Sequence, residues 1–584
     1  MKRLLSGNEA IARGLFEYGC GVATAYPGTP STEILENCVQ YKDTFYSQWS
    51  PNEKVALEVA IGASFGGART LVAMKHVGVN VAADPLLTVT YSGIKGGFIL
   101  LTADDPGMHS SQNEQDNRFF AKFAKMPCLE PSDSQEAKEF VGIAFDISEQ
   151  YDAPVLLRTT TRISHTKTVV ELGEQRAKNQ PSYEKNTSKF VMVPANARKR
   201  HVVVEDRLVK LQEYSEKSPI NRVEYNDLSF GIITAGASYQ YVKDAFPNAS
   251  VMKVGMPYPF PINMAKAFAA KVKKVYVVEE LEPFMEEILK VEGVACVGKE
   301  IIPICGELNQ QIVKNAILGH QENAVKPYFE DATLPVRPPV LCPGCPHRGI
   351  FYILNKLKAV VTGDIGCYTL GVQPPLSAMD TTIAMGASIG VNIGLEKALG
   401  RDYSKKTVAV IGDSTFLHSG ITGLIDAVYN KGANTILVLD NRITAMTGRQ
   451  QNPSTGKTLL GEDTKEVDFV ALAKSVGVAR VKVIDPYDLK LVEETIKEEM
   501  AADEVSVIIT NRPCMLIRGL KFEQKKYTVN EEKCINCGKC LKVGCPAVIK
   551  RADGKKAQIQ AKMCTGCSVC AQVCPVKAIE ETKA

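Results

Sequence analysis

Eight of the 17 cysteines in this chain of 584 residues lie between Cys534 and Cys574. Their spacing constrains the fold of that segment more tightly than any other feature. One group is Cys534, Cys537, Cys540 and Cys545, closed by Pro546; the other is Cys564, Cys567, Cys570 and Cys574, closed by Pro575. The second group reads C-x2-C-x2-C-x3-C-P. In that run three cysteines wrap one 4Fe–4S cubane and the fourth turns away to ligate another. The first group has four residues before its last cysteine in place of three, which alters one local loop. Cys534, Cys537, Cys540 and Cys574 are therefore expected to hold one cluster, and Cys564, Cys567, Cys570 and Cys545 the other. Paired C-x2-C also binds structural zinc, but closure of both groups by Cys-Pro is the more specific pattern. Nearly half of an odd cysteine total in one short tail is no extracellular disulfide framework. A reducing, cytoplasmic setting is expected.

Composition narrows the class further. The chain is 45% hydrophobic and 23% charged, ordinary for folded globular protein. A net charge of +4 is too small to point to nucleic acid. No uncharged apolar run is long enough to span a membrane, and the opening Met1-Lys2-Arg3-Leu4-Leu5-Ser6 lacks the apolar segment of a secretory signal. From Lys526 onward there are 11 Lys+Arg against 5 Asp+Glu. With its thiolates each oxidised cubane brings about −2, so the tail keeps a basic rim suited to an acidic electron carrier.

The middle of the chain carries a βαβ pattern. Val408-Ala-Val-Ile411 is a buried parallel strand, Gly412-Asp413-Ser414 turns at its carboxyl end, and Ile421, Leu424, Ile425 and Val428 mark a helix. Ile436 to Leu439 is the next strand, ending in Asp440-Asn441. Oxygen-bearing side chains at neighbouring strand ends suit magnesium, which bridges carboxylate to phosphate. A generic dinucleotide-type unit would share the strand pattern.

Gly412-Asp413-Ser414 followed by Asp440-Asn441 resembles the thiamine diphosphate motif, which runs G-D-G through to N-N; Ser414 and Asp440 depart from it. Leu341-Cys342-Pro-Gly-Cys345-Pro-His347-Arg348, Gly363-Asp364-Ile-Gly366-Cys367, Tyr26-Pro27-Gly28-Thr29-Pro30-Ser31 and the stretch from Asn52-Glu53 to Gly62-Ala63-Ser64 extend the likeness over nearly the whole chain. With the ferredoxin-like tail, the chain resembles the thiamine-dependent 2-oxoacid:ferredoxin oxidoreductases, and within them the indolepyruvate-oxidising members. The echo of Ala60-Ile-Gly62-Ala63-Ser64-Phe-Gly66 in Ala384-Met-Gly386-Ala387-Ser388-Ile-Gly390 is consistent with two related halves, or with two packed helices sharing small residues.

That resemblance implies an α/β fold with two thiamine diphosphate-binding domains, a transketolase-C-like domain and a two-cluster ferredoxin-like module. The expected spans are 1–165 for the pyrimidine-binding domain, 166–225 for a solvated connector and 226–335 for the transketolase-C-like domain. The diphosphate-binding domain follows at 336–525 and the iron–sulfur module at 526–584. A proline-rich linker is expected near Pro335 to Pro339.

It also implies the site. Glu53 would hydrogen-bond the thiamine pyrimidine, with Glu58 as the alternative. Thr29 and Arg118 would hold the oxoacid carboxylate, and His76 would face the substrate or serve as a structural histidine. Gly412, Asp413, Ser414, Asn441 and Ile443 would bind the diphosphate, with Asp413, Asn441 and the Ile443 carbonyl on magnesium. Cys342, Cys345, Cys367 and Cys514 would hold a third cluster. Cys20, Cys38, Cys128, Cys296 and Cys305 read as small buried hydrophobes. The implied reaction is ferredoxin-dependent oxidative decarboxylation of an arylpyruvate with coenzyme A. A smaller beta subunit would complete a heterodimer or an α2β2 assembly, and the electrons would leave on ferredoxin. Pyruvate, 2-oxoglutarate or branched-chain oxoacids are alternative substrates. A thiamine decarboxylase and a non-catalytic electron-transfer scaffold are rivals from other classes.

Overall fold

The computed structural model describes residues 1–320, 337–520 and 525–582, in two compact units, Met1–Ala332 and Thr333–Ala584. The first unit is built on a six-stranded sheet of Val22–Ala25, Tyr46–Trp49, Thr70–Lys75, Phe98–Asp104, Cys128–Leu129 and Val155–Thr160. Phe98–Asp104 and Val155–Thr160 are buried at every position. Parallel strands covered on both faces have this near-continuous apolar character. Numbered by their order in the chain, the six strands lie side by side as 2-1-3-4-6-5, all parallel.

The second unit repeats that arrangement. Val360–Gly363, Thr381–Thr382, Thr407–Gly412, Thr435–Asp440, Arg480–Ile484 and Ser506–Asn511 also run 2-1-3-4-6-5, all parallel. The sequence echo falls on the equivalent connection in both: the helices Glu53–Phe65 and Ala387–Leu399 each link the second strand to the third. It sits at opposite ends of them, however, closing the first helix and opening the second. Close helix approach is not its common cause. A side chain at Gly62 would meet nothing within 4 Å, whereas Gly386 has φ +82° and a Cβ there would lie 2.4 Å from Ser419 Oγ.

A second sheet in the first unit orders Val275–Val278, Asp227–Ala235, Ala249–Val254 and Arg222–Glu224, the last antiparallel. Residues 166–225 are not the solvated connector expected. Lys167–Glu171 pairs with Lys2–Ser6, Pro194–Lys217 is a 24-residue helix, and Arg222–Glu224 belongs to a sheet. The helix was hidden by its polarity, since only Val204, Arg207, Leu211 and Ser215 are buried. They fall at helical spacing on one narrow stripe. The basic run there is partly an anchor: Arg200 donates to the Tyr91 carbonyl at 2.7 Å and to Asp152 Oδ2 at 2.8 Å.

The cysteine-rich tail forms two antiparallel strand pairs, Lys526–Val529 with Ile579–Thr582 and Val548–Lys550 with Ala557–Ile559. It is no tethered appendage. Val543 and Val569 are buried in one core with Val408, Val410 and Ile508, and Cys345, Cys545 and Cys567 pack against that core. Part of the expected linker, Pro335 and Val336, lies outside the described residues. Among the described residues no helix is long and apolar enough to cross a membrane.

Candidate functional site

Thr407–Gly412 is buried along its length and delivers Asp413 to the first turn of the following helical segment. The adjacent strand Thr435–Asp440 ends beside it. Burial and the charge of Asp440 push the Asp413 carboxyl up to about 7; burial also raises Asp440, against the pull of Arg442. Asp413 Oδ2 accepts from Asn452 Nδ2 at 3.3 Å and from the Ser454 hydroxyl at 3.2 Å. Two buried acids at neighbouring strand ends, one held only by neutral donors, fit a hard divalent cation.

Asn441 Nδ2 donates to His347 Nε2 at 3.1 Å, and its Oδ1 accepts from the Ile443 N–H at 3.2 Å. Burial pushes His347 down to about 4, so its imidazole is neutral and accepts. Arg442, at φ +61°, turns the chain between Asn441 and Ile443. Ser414 Oγ accepts from the Thr444 hydroxyl at 3.0 Å. Gly412 is required by Tyr368: a Cβ there would lie 2.7 Å from the ring. The Tyr368 hydroxyl and Ser388 Oγ both donate to Asp364, whose carboxyl burial pushes up to about 8.

Beside this edge stand Cys342, Cys345, Cys367 and Cys514. Burial pushes Cys345 and Cys367 to about 12 and also raises Cys514. Members of the quartet raise one another as well: Cys367 and Cys514 act on Cys345, Cys514 and Cys342 act on Cys367, and Cys342 acts on Cys514. Asp413 acts on both Cys367 and Cys514. The Cys514 N–H donates to the Asn441 carbonyl at 2.9 Å. Half-buried thiols that oppose one another's ionisation make a stable set of thiolates only around a positive core.

The tail cysteines fall into two sets. Cys534, Cys537, Cys540 and Cys574 line one cavity. Cys545 lies with the other triplet: among the thiols, Cys545 and Cys564 act on Cys567, and Cys567, Cys545 and Cys564 act on Cys570 ahead of Cys540. Among the described residues no three His, Cys, Asp or Glu side chains converge on a single ion; a cubane sets its four thiolates further apart, with iron and sulfide between them. Cys20, Cys38 and Cys128 are buried, but Cys296 is half-buried and Cys305 exposed, unlike the small core residues expected.

At the edge of the first unit's sheet, Glu53 is buried at the start of its helix, where Asn52 caps by accepting the Val55 N–H at 2.9 Å. Glu58, the alternative, is exposed and paired with Lys54. His76 is fully buried and holds the Asn113 carbonyl at 3.2 Å through Nε2. Thr29 is half-buried in its turn. Arg118 is neither a surface residue nor an open carboxylate ligand. It is 1% exposed, and its guanidinium is spent on Asp116, on Glu279 Oε2 at 2.5 Å and on the carbonyls of Glu280 and Glu282. It ties the first unit's two sheets together. The cation packed against the Gly28-Thr29 turn is Lys75, which sequence reasoning missed. A Cβ on Gly28 would lie 2.9 Å from Lys75 Cβ, and burial pushes the ammonium down to about 8. The available signal was a lysine closing the apolar strand Thr70–Lys75. Asn452 and Ser454 come from a loop with no motif to mark them.

Known proteins agree with this division of labour. Residues 13–219 match the family described as pyruvate flavodoxin/ferredoxin oxidoreductase, thiamine diP-bdg. Residues 364–510 match the thiamine pyrophosphate enzyme C-terminal TPP-binding domain, and residues 528–580 the 4Fe-4S dicluster domain. The indolepyruvate oxidoreductase subunit IorA of Pyrococcus horikoshii is 44% identical, over 100% of this chain and 97% of that one. The IorA of Archaeoglobus fulgidus is 42% identical, over 100% and 98%. The 2-oxoglutarate synthase subunit KorA of Archaeoglobus fulgidus is 23% identical, over 51% of this chain and 96% of that one. Identity of this order along the entire chain, on a sheet edge with buried acids and three cysteine sets, means that the chain belongs to the thiamine diphosphate-dependent 2-oxoacid:ferredoxin oxidoreductases.

Proposed function

We propose that this chain is the larger subunit of an arylpyruvate:ferredoxin oxidoreductase. Its reaction would convert indolepyruvate, coenzyme A and oxidised ferredoxin to indoleacetyl-CoA, carbon dioxide and reduced ferredoxin. The observation that carries the redox reading is the bond from the Cys514 N–H to the Asn441 carbonyl. It joins a half-buried cysteine quartet to the strand end that would hold magnesium. A decarboxylase releasing aldehyde has no use for that junction. The substrate reading is supported by the names of the full-length relatives.

Bound thiamine diphosphate supplies the electron sink that lets a 2-oxoacid lose carbon dioxide. The residues of this chain position it. Asp413, Asn441 and the Ile443 carbonyl would hold magnesium against the diphosphate, and Gly412 and Ser414 would shape the turn. Glu53 would hold the pyrimidine. With Arg118 spent, Lys75 takes the oxoacid carboxylate in this reading, beside Thr29. Cys342, Cys345, Cys367 and Cys514 would carry the first of three clusters, followed by the two in the tail. Coenzyme A and a smaller second subunit complete the enzyme.

The test is an anaerobic assay of the complex with indolepyruvate, phenylpyruvate, pyruvate and 2-oxoglutarate, following acyl-CoA and ferredoxin reduction together. The highest kcat/KM is expected on indolepyruvate. A higher value on pyruvate or 2-oxoglutarate overturns the substrate, and aldehyde without ferredoxin reduction overturns the redox reading. Lys75→Met is expected to raise KM for the oxoacid more than it lowers kcat.

A further inference from the structure

Arg348 is a buried cation in a place that physical chemistry disfavours. It is 3% exposed and is the second residue of the helix His347–Leu357, where the helix dipole opposes positive charge. Among the described residues no carboxylate pairs with it, and its Nε has no partner. Its terminal nitrogens bond only backbone carbonyls, and these belong to two cysteine-bearing loops. Nη2 donates to Leu341 and, at 3.1 Å, to Cys342; Nη1 donates to Val543 at 3.2 Å and to Gly544. Cys342 belongs to the quartet beside Asp413, and Gly544 precedes Cys545 of the tail. Gly544 has φ +69°, and a Cβ there would lie 3.3 Å from Arg348 Nη1. Pro375 Cδ lies nearer still to that Cβ position, at 3.0 Å, so the glycine lets the loop pack against both Pro375 and the guanidinium.

A buried charge held by dipoles alone is costly unless an opposite charge lies near. Each cubane with four thiolates is anionic, and reduction adds a further negative charge. We propose that Arg348 is the shared counter-ion of two clusters, the one on Cys342, Cys345, Cys367 and Cys514 and the one on Cys545, Cys564, Cys567 and Cys570. It fixes the two ligand loops against each other and raises both reduction potentials, which are set in part by net charge and hydrogen bonding around the cluster. This rests on the reading that both clusters are present. Arg348 acts through the clusters and is a positioning residue.

The experiment is a redox titration of the anaerobic complex followed by electron paramagnetic resonance, on wild type, Arg348→Gln and Arg348→Lys, with iron content measured on each. In Arg348→Gln two of the three potentials are expected to move negative, with the cluster on Cys534, Cys537, Cys540 and Cys574 unmoved. Arg348→Lys keeps the charge and is expected to stay near wild type. Iron lost from Arg348→Gln but retained in Arg348→Lys supports the same role by a second readout. Three unmoved potentials in Arg348→Gln overturn the proposal, as does Arg348→Lys matching Arg348→Gln in shift or in iron loss. Wild type carrying only the tail clusters defeats both this proposal and the reading beneath it. Wild type with three clusters but unmoved potentials in the Gln variant defeats the proposal alone.

Discussion

The carboxylate of Glu53 occupies the space that a side chain at residue 78 would need. A Cβ on Gly78 would lie 2.7 Å from Glu53 Cγ and 2.8 Å from its Oε1. Gly78 sits inside the helix His76–Val81, where alanine is favoured over glycine by about 1 kcal/mol. Steric exclusion and helix propensity therefore pull in opposite directions, which makes the position diagnostic. Gly78→Ala is expected to leave the circular dichroism unchanged while lowering turnover, because it dislodges Glu53. Glu53→Gln is expected to lower kcat by roughly 100-fold or more, the range for a lost proton-handling group. Full turnover in either variant, measured as ferredoxin reduction at saturating cofactor, contradicts the role given to Glu53.

Asp413 and Asn441 make a separate prediction about the cofactor. Asp413→Asn keeps an oxygen for Asn452 and Ser454 but removes the charge that would meet magnesium. Magnesium-dependent thiamine diphosphate affinity is expected to fall at least about tenfold, which is about 1.4 kcal/mol. Asp413→Ala is expected to abolish it. Calorimetry with and without magnesium decides, and unchanged affinity in both variants removes Asp413 from the site.

What the sequence made legible and what it hid divide by the range of the interaction. Asp413 and Asn441 stand at the ends of adjacent strands in one βαβ unit, so strand pattern and spacing located them together. The two tail sets are short-range in the same sense, with every cysteine within one small module. The burial of Arg118 was hidden because one of its two carboxylate partners, Glu279, lies 161 residues away, although the other, Asp116, is only two residues off. The kinship of the two large sheets is carried by strand order, which side-chain identity does not encode. The small-residue echo pointed to the right connection through residues that serve different ends in each. The helix Pro194–Lys217 escaped because a buried stripe of four residues is too narrow to outweigh the polar remainder.

Glu280 supplies a pH prediction independent of any cofactor. Burial pushes its carboxyl from an ordinary 4.5 up to about 7, while Oε1 accepts the Leu308 N–H at 3.1 Å. Between those values the folded chain keeps a proton that the unfolded chain has lost, so stability falls as pH rises through the window. Above about pH 7 the whole penalty is present, on the order of 3 kcal/mol. Glu280→Gln keeps the Leu308 acceptor and removes the titration. It is expected to unfold at a higher temperature than wild type at pH 8, with the gap shrinking as pH is lowered toward 5.5. A gap that is constant or widens on acidification contradicts the assignment.

In the proposed reading, the cysteine quartet beside Asp413 adds a third cubane to the two of the tail. One residue holds both its loop and the tail: the Tyr487 hydroxyl donates to the Gly344 carbonyl, and the Tyr487 carbonyl accepts from Gln572 Nε2 at 2.7 Å. Gly344 has φ +67°, and a Cβ there would lie 2.2 Å from Thr565 Oγ1. Loop and tail thus close on each other between Cys345 and Cys567, and both thiols are among the charges that act on Tyr487. An electron arriving at the quartet would have a short protein path into the tail. At four irons per cubane, anaerobically reconstituted protein is expected to carry about 12 irons per chain, and Cys345→Ala about 8. The variant should retain the tail clusters, since no tail ligand is touched, yet lose substrate-driven reduction of ferredoxin while still accepting electrons from dithionite. About 8 irons in wild type, unaltered by Cys345→Ala, would mean that only the tail is loaded and that electrons leave the thiamine site by another route.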